Sequence, residues 1–364
     1  MEVPMKVTSA QIARELGISR STVSRALNGY PHVDESVRQQ VLALADKMEY
    51  HPNLAARCLA KGEHLLVGVV LYAKADSDSF LREYMEDLLR GVELARRQLS
   101  DYGLHVETVV TDITRPEEQI EALNALAAKG AKGIAIAPCD PDVVAPTLDK
   151  LMNDGVQILL LNTDVPQSQR LCYVGSDYIQ AGRICAELVG GYLQGKGSVA
   201  TIIFDDRGTM TSQKLTGFRE EIGHYSGIEM LGPYKFPRTG ERVYENTCSL
   251  IQERQPDAIF MTYGELESVA QAVEDCGMAE KIRLVGFDCS QGILSYLRRR
   301  VISAVVYQDP AVQGMVSIKI LHEFLTRNIR PRSSLVHARL EIVTHQNRAY
   351  YQRDSLNVST YYYL

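Results

Sequence analysis

The chain carries two hydrophobic rhythms, and the change falls near residue 65. In the first, short stretches repeat apolar residues at helical spacing. Thr8 followed by Gln11 is a capping-box pattern, and Ile12, Ala13 and Leu16 give the helix behind it one apolar stripe. Gly17 suits the position after a helix end, where positive φ is needed. Ser19 is placed to cap a second helix, with Val23, Ala26 and Leu27 on its inner side. Asp34 caps a third, with Val37, Val41, Leu44, Ala45 and Met48 inward. Two short helices joined by a tight glycine-containing turn make a helix-turn-helix unit, so residues 1–49 are expected to form a three-helix head. Pro52 ends that pattern, because the residue before a proline disfavours helical backbone. Asn53–Ala60 is one more helical stretch, isolated between Pro52 and Gly62. About eight residues are marginal as a lone helix in water.

From Leu65 the rhythm is different: short β-branched or apolar runs alternate with amphipathic helices. Strands are expected at 67–72, 104–110, 133–137 and 157–161, with helices at 80–99, 116–128 and 142–153. The pattern restarts with a helix at 181–193. Strands at 198–204, 229–234, 257–261, 282–286 and 304–307 then alternate with helices at 211–224, 241–253, 266–276 and 291–299. Continuously apolar strands between helices imply parallel sheets covered on both faces. The expected body is therefore two α/β lobes, 65–174 and 175–307, after a linker at 50–64. A helix at 312–327 and one late strand around 336–342 should cross back. They would add about 308–335 to the first lobe and about 336–364 to the second.

Composition narrows the classes. A length of 364 residues suits two or three domains, and an apolar fraction of 45% is that of a soluble globular chain. The longest apolar run, Leu65–Ala73, is far short of the roughly 20 residues a membrane-spanning helix needs. Met1–Lys6 does not read as a signal peptide, so a cytoplasmic protein with no membrane partner is expected. Seven cysteines without a C-x-x-C pair point to reduced thiols. The net charge of −6 argues against nonspecific nucleic-acid binding by the whole molecule. It is unevenly spread, because residues 1–62 hold eight Lys/Arg against six Asp/Glu. A mildly basic head on an acidic body fits a protein whose head alone meets phosphates.

The outward residues of the second helix are Arg20, Ser21, Thr22, Ser24, Arg25 and Asn28. All can hydrogen-bond, and arginine suits guanine edges and phosphates. The same spacing also fits a solvated face on an ordinary small helix. Three blocks decide between these readings: V-T-S-A-Q-I-A at 7–13, G-I-S-R-S-T-V-S-R-A-L-N-G at 17–29 and Y-H-P-N-L-A-A-R-C-L-A at 50–60. Together they resemble the lactose-repressor (LacI/GalR) family of bacterial regulators. The resemblance implies an all-α helix-turn-helix head on a two-lobe α/β core like that of periplasmic binding proteins. It also implies DNA contacts at Thr8, Ser19, Arg20, Ser21, Thr22, Ser24, Arg25, Asn28 and His32. Residues 53–60 would be a hinge helix that folds on the DNA, with Asn53, Ala56 and Leu59 at the minor groove. Leu59 matches the family's leucine that wedges between base steps. The implied partners are a pseudo-palindromic double-stranded operator, a small-molecule effector and a second copy of the chain, as a dimer or a higher oligomer.

Ligands of open α/β sheets sit outside the carboxyl ends of strands, so the polar residues just after strands are the effector candidates. They are Tyr72, Asn162, Asp164, Ser212, Tyr263, Asp288 and Gln308. G-F-D at 286–288 and V-V-Y-Q-D at 305–309 resemble the family blocks whose aspartate and glutamine bond sugar hydroxyls. Two positions depart from it. The family's arginine, counted six before Phe218, falls on Ser212, and its asparagine–aspartate pair falls on Tyr263-Gly264. The effector is accordingly expected to be sugar-like or, with these departures, purine-like, cationic or aryl.

Catalysis has little support. Eight histidines are scattered without metal-ligand spacing, and no G-x-S-x-G, P-loop or strand-to-helix G-x-G-x-x-G is present. Asp205-Asp206 suits acid–base work, but loop-end acids more often cap helices or bind hydroxyls. No enzyme activity, catalytic residue, metal or cofactor is expected. The rival is a two-lobe binding protein or enzyme that shares only the core, for which a basic helical head has no use.

Overall fold

In this computed structural model the described residues are 8–27, 33–48, 50, 65–73, 79–204, 209–237 and 240–352. The head has helices α1 (Ser9–Glu15), α2 (Arg20–Leu27) and α3 (Glu35–Lys47). Each starts where its capping residue predicts. The Thr8 hydroxyl accepts from the Gln11 backbone N–H while Gln11 returns a bond to the Thr8 N–H. Ser19 Oγ accepts from Thr22 N at 3.0 Å, and Asp34 accepts from Ser36 N and Val37 N. Gly17 takes φ +64°, the left-handed turn that lets α2 fold back on α1. Ile12, Ala13, Val23, Ala26, Val41 and Ala45 meet in a small core of their own. The expected hinge helix at 53–60 lies outside the described residues, as do Asn28, His32, Asn53, Ala56 and Leu59.

The body opens with β1 (Leu65–Ala73), α4 (Ser79–Leu99), β2 (Leu104–Asp112), α5 (Pro116–Ala128) and β3 (Gly133–Ile136). There follow α6 (Pro141–Asn153), β4 (Gln157–Leu161) and β5 (Cys172–Gly175). The second lobe runs α7 (Tyr178–Tyr192), β6 (Lys196–Phe204), α8 (Thr209–Ile222), β7 (Gly227–Phe236), α9 (Gly240–Arg254) and β8 (Ala258–Met261). It continues with α10 (Leu266–Asp275), β9 (Arg283–Phe287), α11 (Gln291–Arg298) and β10 (Ile302–Tyr307). Last come α12 (Pro310–Arg327), β11 (Leu335–His337) and β12 (Glu341–Val343).

Two six-stranded sheets result, ordered β11-β5-β4-β3-β1-β2 and β12-β10-β9-β8-β6-β7. The first is parallel throughout. The second is parallel except at its edge, where β12 runs antiparallel to β10. The single late strand expected around 336–342 is two strands in two sheets. β11 pairs with β5, so Val336 and His337 belong to the first lobe, and the return crossing falls at 338–340 rather than before 336. Alternating apolar residues show where strands exist; they do not show that three residues between them turn from one sheet to another.

In each lobe one pair of helices touches backbone to backbone. A Cβ on Gly91 of α4 would lie 1.8 Å from the Ala311 carbonyl oxygen of α12, and one on Gly314 would lie 2.1 Å from that of Leu88. The second lobe repeats the device. A Cβ on Gly182 of α7 would lie 2.0 Å from Lys214 O of α8, and one on Gly217 would lie 1.9 Å from Ile179 O. These contacts bring α4 and α8 close in, so that side chains from both helices reach the space between the lobes.

Candidate functional site

The head presents a row of polar side chains along α2. Val23 and Ala26 point into its core while Arg20, Ser21, Ser24 and Arg25 stand exposed on α2. Neither the Arg20 nor the Arg25 guanidinium is held by another described residue. Ser19 Oγ, exposed, is 2.7 Å from Ser21 Oγ and 2.8 Å from Thr22 Oγ1, a hydroxyl row at the helix N-terminus. Such an end favours an anion through its free N–H groups and dipole. Thr8 is committed to capping α1 and remains exposed beside it.

The second site lies between the lobes, at the carboxyl ends of both sheets. Five of the seven expected cleft residues meet there: Tyr72, Asn162, Tyr263, Asp288 and Gln308. Asn162 follows β4 with φ +63°. Its Oδ1 accepts from Tyr84 Oη and Tyr178 Oη, both at 2.9 Å, and its carbonyl accepts from Tyr178 Oη at 2.7 Å and Tyr173 Oη at 3.1 Å. On the other side Gln308 Nε2 donates to both oxygens of Asp288 at 2.9 Å. Gln313 joins the two halves: its Nε2 donates to Gln308 O at 2.8 Å, and its Oε1 faces the Tyr84 hydroxyl at 3.4 Å. This network leaves Gln308 Oε1 buried without a partner.

The cation of the cleft is Lys214, a residue not singled out from the sequence. Its side chain is 2% exposed. Nζ donates to Thr262 O at 3.1 Å and sits 3.6 Å from the Phe287 ring centroid, with Tyr178 and Tyr263 slightly farther off. Burial pushes the Asp288 carboxyl up to about 6, although Lys214 and the Gln308 amide pull it down. Asp309, which caps α12, is likewise pushed up to about 6 by burial. Burial also holds the Tyr84 and Tyr178 phenols well above their usual range, so both are neutral donors.

Two expected cleft residues stand elsewhere. Ser212 is exposed on α8. Phe218 is fully buried and stacked on Phe260 at 4.1 Å, which fixes the rotation of that helix. The residue one turn earlier, Lys214, then faces the cleft, because residues four apart share a helix face; six apart do not. Asp164 is drawn aside into an ion pair, its Oδ1 2.8 Å from Arg170 Nε and its Oδ2 accepting from Arg170 Nη2 at 2.9 Å. Tyr84 and Tyr178 were also missed: Tyr84 falls within the expected helix at 80–99, and Tyr178 lies before the expected start of the helix at 181–193, which in the structure begins at Tyr178 itself. Only the tertiary structure shows that their hydroxyls end at Asn162. Among the described residues no group of His, Cys, Asp and Glu is placed to hold a metal ion. None of the described helices is long and apolar enough to cross a membrane.

A two-lobe core with a polar interlobe cleft, joined to a helix-turn-helix head, is the architecture of a ligand-binding DNA regulator. Residues 10–53 match the family described as bacterial regulatory proteins, lacI family, and residues 74–328 match the periplasmic binding protein domain. The chain belongs to the lacI family of transcriptional regulators. It is 24% identical over 336 residues to catabolite control protein A of Priestia megaterium, covering 89% of this chain and 94% of that protein. It is 35% identical over 128 residues to the HTH-type transcriptional regulator AglR of Rhizobium meliloti (strain 1021), covering 35% of this chain and 33% of that one. Among solved structures, a sugar-binding protein of a sugar ABC transporter from Bacillus halodurans superimposes with a TM-score of 0.70 at 25% identity, over 79% of this chain and 100% of that one. A solute-binding protein from Burkholderia graminis C4D1M in complex with D-arabinose superimposes equally well, with a TM-score of 0.70 at 22% identity over 80% and 99%. At that identity the likeness shows the fold.

Proposed function

We propose that this regulator represses genes of carbohydrate or related catabolism from the cytoplasm, and that its effector binds between the lobes against Asp288, Gln308, Asn162 and Lys214. It acts as a homodimer on a pseudo-palindromic operator, since one three-helix head buries little DNA surface. Arg20 and Ser21 read base edges. Thr22, Arg25 and Ser24 position the duplex, together with Asn28 and His32. The observation that carries the effector reading is the unpartnered, buried Oε1 of Gln308 in the cleft. A buried acceptor left unpaired costs about 1–3 kcal/mol, and a ligand hydroxyl or N–H would recover it. Asp288 beside it accepts two neighbouring hydroxyls, the usual grip on a polyol. Tyr72, Tyr178 and Tyr263 flank a ring.

The cavity enclosed by these side chains measures about 20 Å³, whereas pockets that bury a small ligand span roughly 300–1,000 Å³. Effector entry therefore requires the lobes to part. It must loosen the bonds that cross between them: Tyr178 to Asn162, and Gln291 N to Glu83 Oε2. That movement is the means by which the cleft alters the separation of the two hinge segments, and so DNA binding. The test is selection of duplexes from a randomised pool by the intact chain, followed by anisotropy titration of the selected site with sugars, polyols and nucleosides. A preferred duplex whose affinity shifts with one ligand class supports the proposal. No preference among duplexes, or a shift that persists in Asp288→Ala, overturns it.

A further inference from the structure

A second cavity, about 510 Å³, opens at the far end of the second lobe. It lies at the amino ends of β9 and β10, whereas Asp288 and Gln308 follow their carboxyl ends. Five or six strand residues separate the two places, which at about 3.3 Å per residue is roughly 15–20 Å. Arg283 opens β9, and Arg300 stands in the left-handed turn before β10 at φ +61°. Ser303 follows on β10, Tyr192 closes one side, and Thr344 and Gln346 come after β12.

Several arginines of this molecule are committed to acidic neighbours, whereas Arg283 and Arg300 have no such partner among the described residues. Arg90, Arg96, Arg97, Arg115, Arg170, Arg183 and Arg299 each lie within 4 Å of a carboxylate. The guanidinium groups of Arg283 and Arg300 make no hydrogen bond or ion pair with any described residue. Glu280 lines the same cavity without coming within that distance of either. Arg283 is half-buried, not splayed into solvent. Two planar forks that no described residue engages, lining one cavity together with the Ser303 hydroxyl and the Gln346 amide, suit an oxyanion that takes two or more charge-assisted bonds.

We propose that this cavity is a second ligand site, taking a small metabolite through a phosphoryl or carboxylate group held by Arg283 and Arg300. It is separate from the interlobe cleft and does not depend on the effector reading of that cleft. The test is calorimetric titration of the full-length chain with inorganic phosphate, a sugar phosphate and a dicarboxylate, at ionic strength matched with chloride. Saturable binding of at least one is expected, and the arm that binds identifies the anion. Arg300→Glu reverses a charge at an exposed turn without touching the core, and should abolish that binding. Arg283→Gln should weaken it about tenfold or more. Binding should survive Lys214→Gln in the cleft and Arg20→Gln in the head. Absence of saturable binding by all three anions, unchanged affinity in Arg300→Glu, or loss caused by Lys214→Gln or Arg20→Gln would each overturn the site.

Discussion

Asp288 does two things at once. Its carboxylate lines the interlobe cleft, and its burial makes the folded protein bear an ionised group in a poor environment. Burial holds it at about 6 against about 3.9 in an unfolded chain, and Asp309 behaves alike. Folding therefore takes up protons between those values. The stabilising effect of that uptake is complete below about 4 and is lost as pH rises through about 6. Asp288→Asn should raise unfolding free energy by about 2–3 kcal/mol at pH 7.5 and by only about a third of that near pH 4.5, as read by urea denaturation at both values. Asparagine also tolerates the φ +69° of this position, so backbone strain does not confuse the result. The same variant should lose effector response. At this scale Asp288 and Gln308 were legible because short motifs carry them. Lys214 was not, because a count along the chain does not reveal how a helix is rotated about its axis.

That rotation belongs to the helices. The close crossing of α7 and α8 holds the Lys214 backbone against Gly182, and the Phe218–Phe260 stack sets the face it presents. Gly182→Ala must force the pair apart. It should destabilise the second lobe by about 1–3 kcal/mol and weaken effector binding with no change at a ligand-contacting residue; thermal melts and ligand titration together check this. In the head, Arg20→Ala should cost about 1–3 kcal/mol on the preferred duplex and relax the choice of base at one position. Competition among single-base variants of the selected site measures both. Capping patterns placed α1, α2 and α3 from the sequence because an N-cap is a local bond between neighbours. The split between β11 and β12 was hidden, since strand partners are chosen across sheets.

For the whole molecule the notable fact is independence of parts. Among the described residues the head's core shares no member with the clusters that hold the lobes. Removal of residues 1–61 should leave the melting of the core and its effector binding unchanged while abolishing selective DNA binding; melts and anisotropy on the truncated chain test this. The lobes, by contrast, are tied. The chain passes between them after β5, after β10 and after β11, and Gln313 on α12 links Tyr84 of one lobe through Gln308 to Asp288 of the other. Any change in lobe separation is thereby confined to a few joints.

The order of residues alone determined the head, the alternation of strands and helices, and the family, because each depends on near neighbours: caps, apolar periods and contiguous motifs. Which side chains share the cleft was decided only in three dimensions. Asp164 left it for Arg170, Ser212 turned to solvent, and Lys214, Tyr84 and Tyr178 took up the space. Those placements follow from helix rotation and sheet pairing, which are set by packing between segments far apart in the chain.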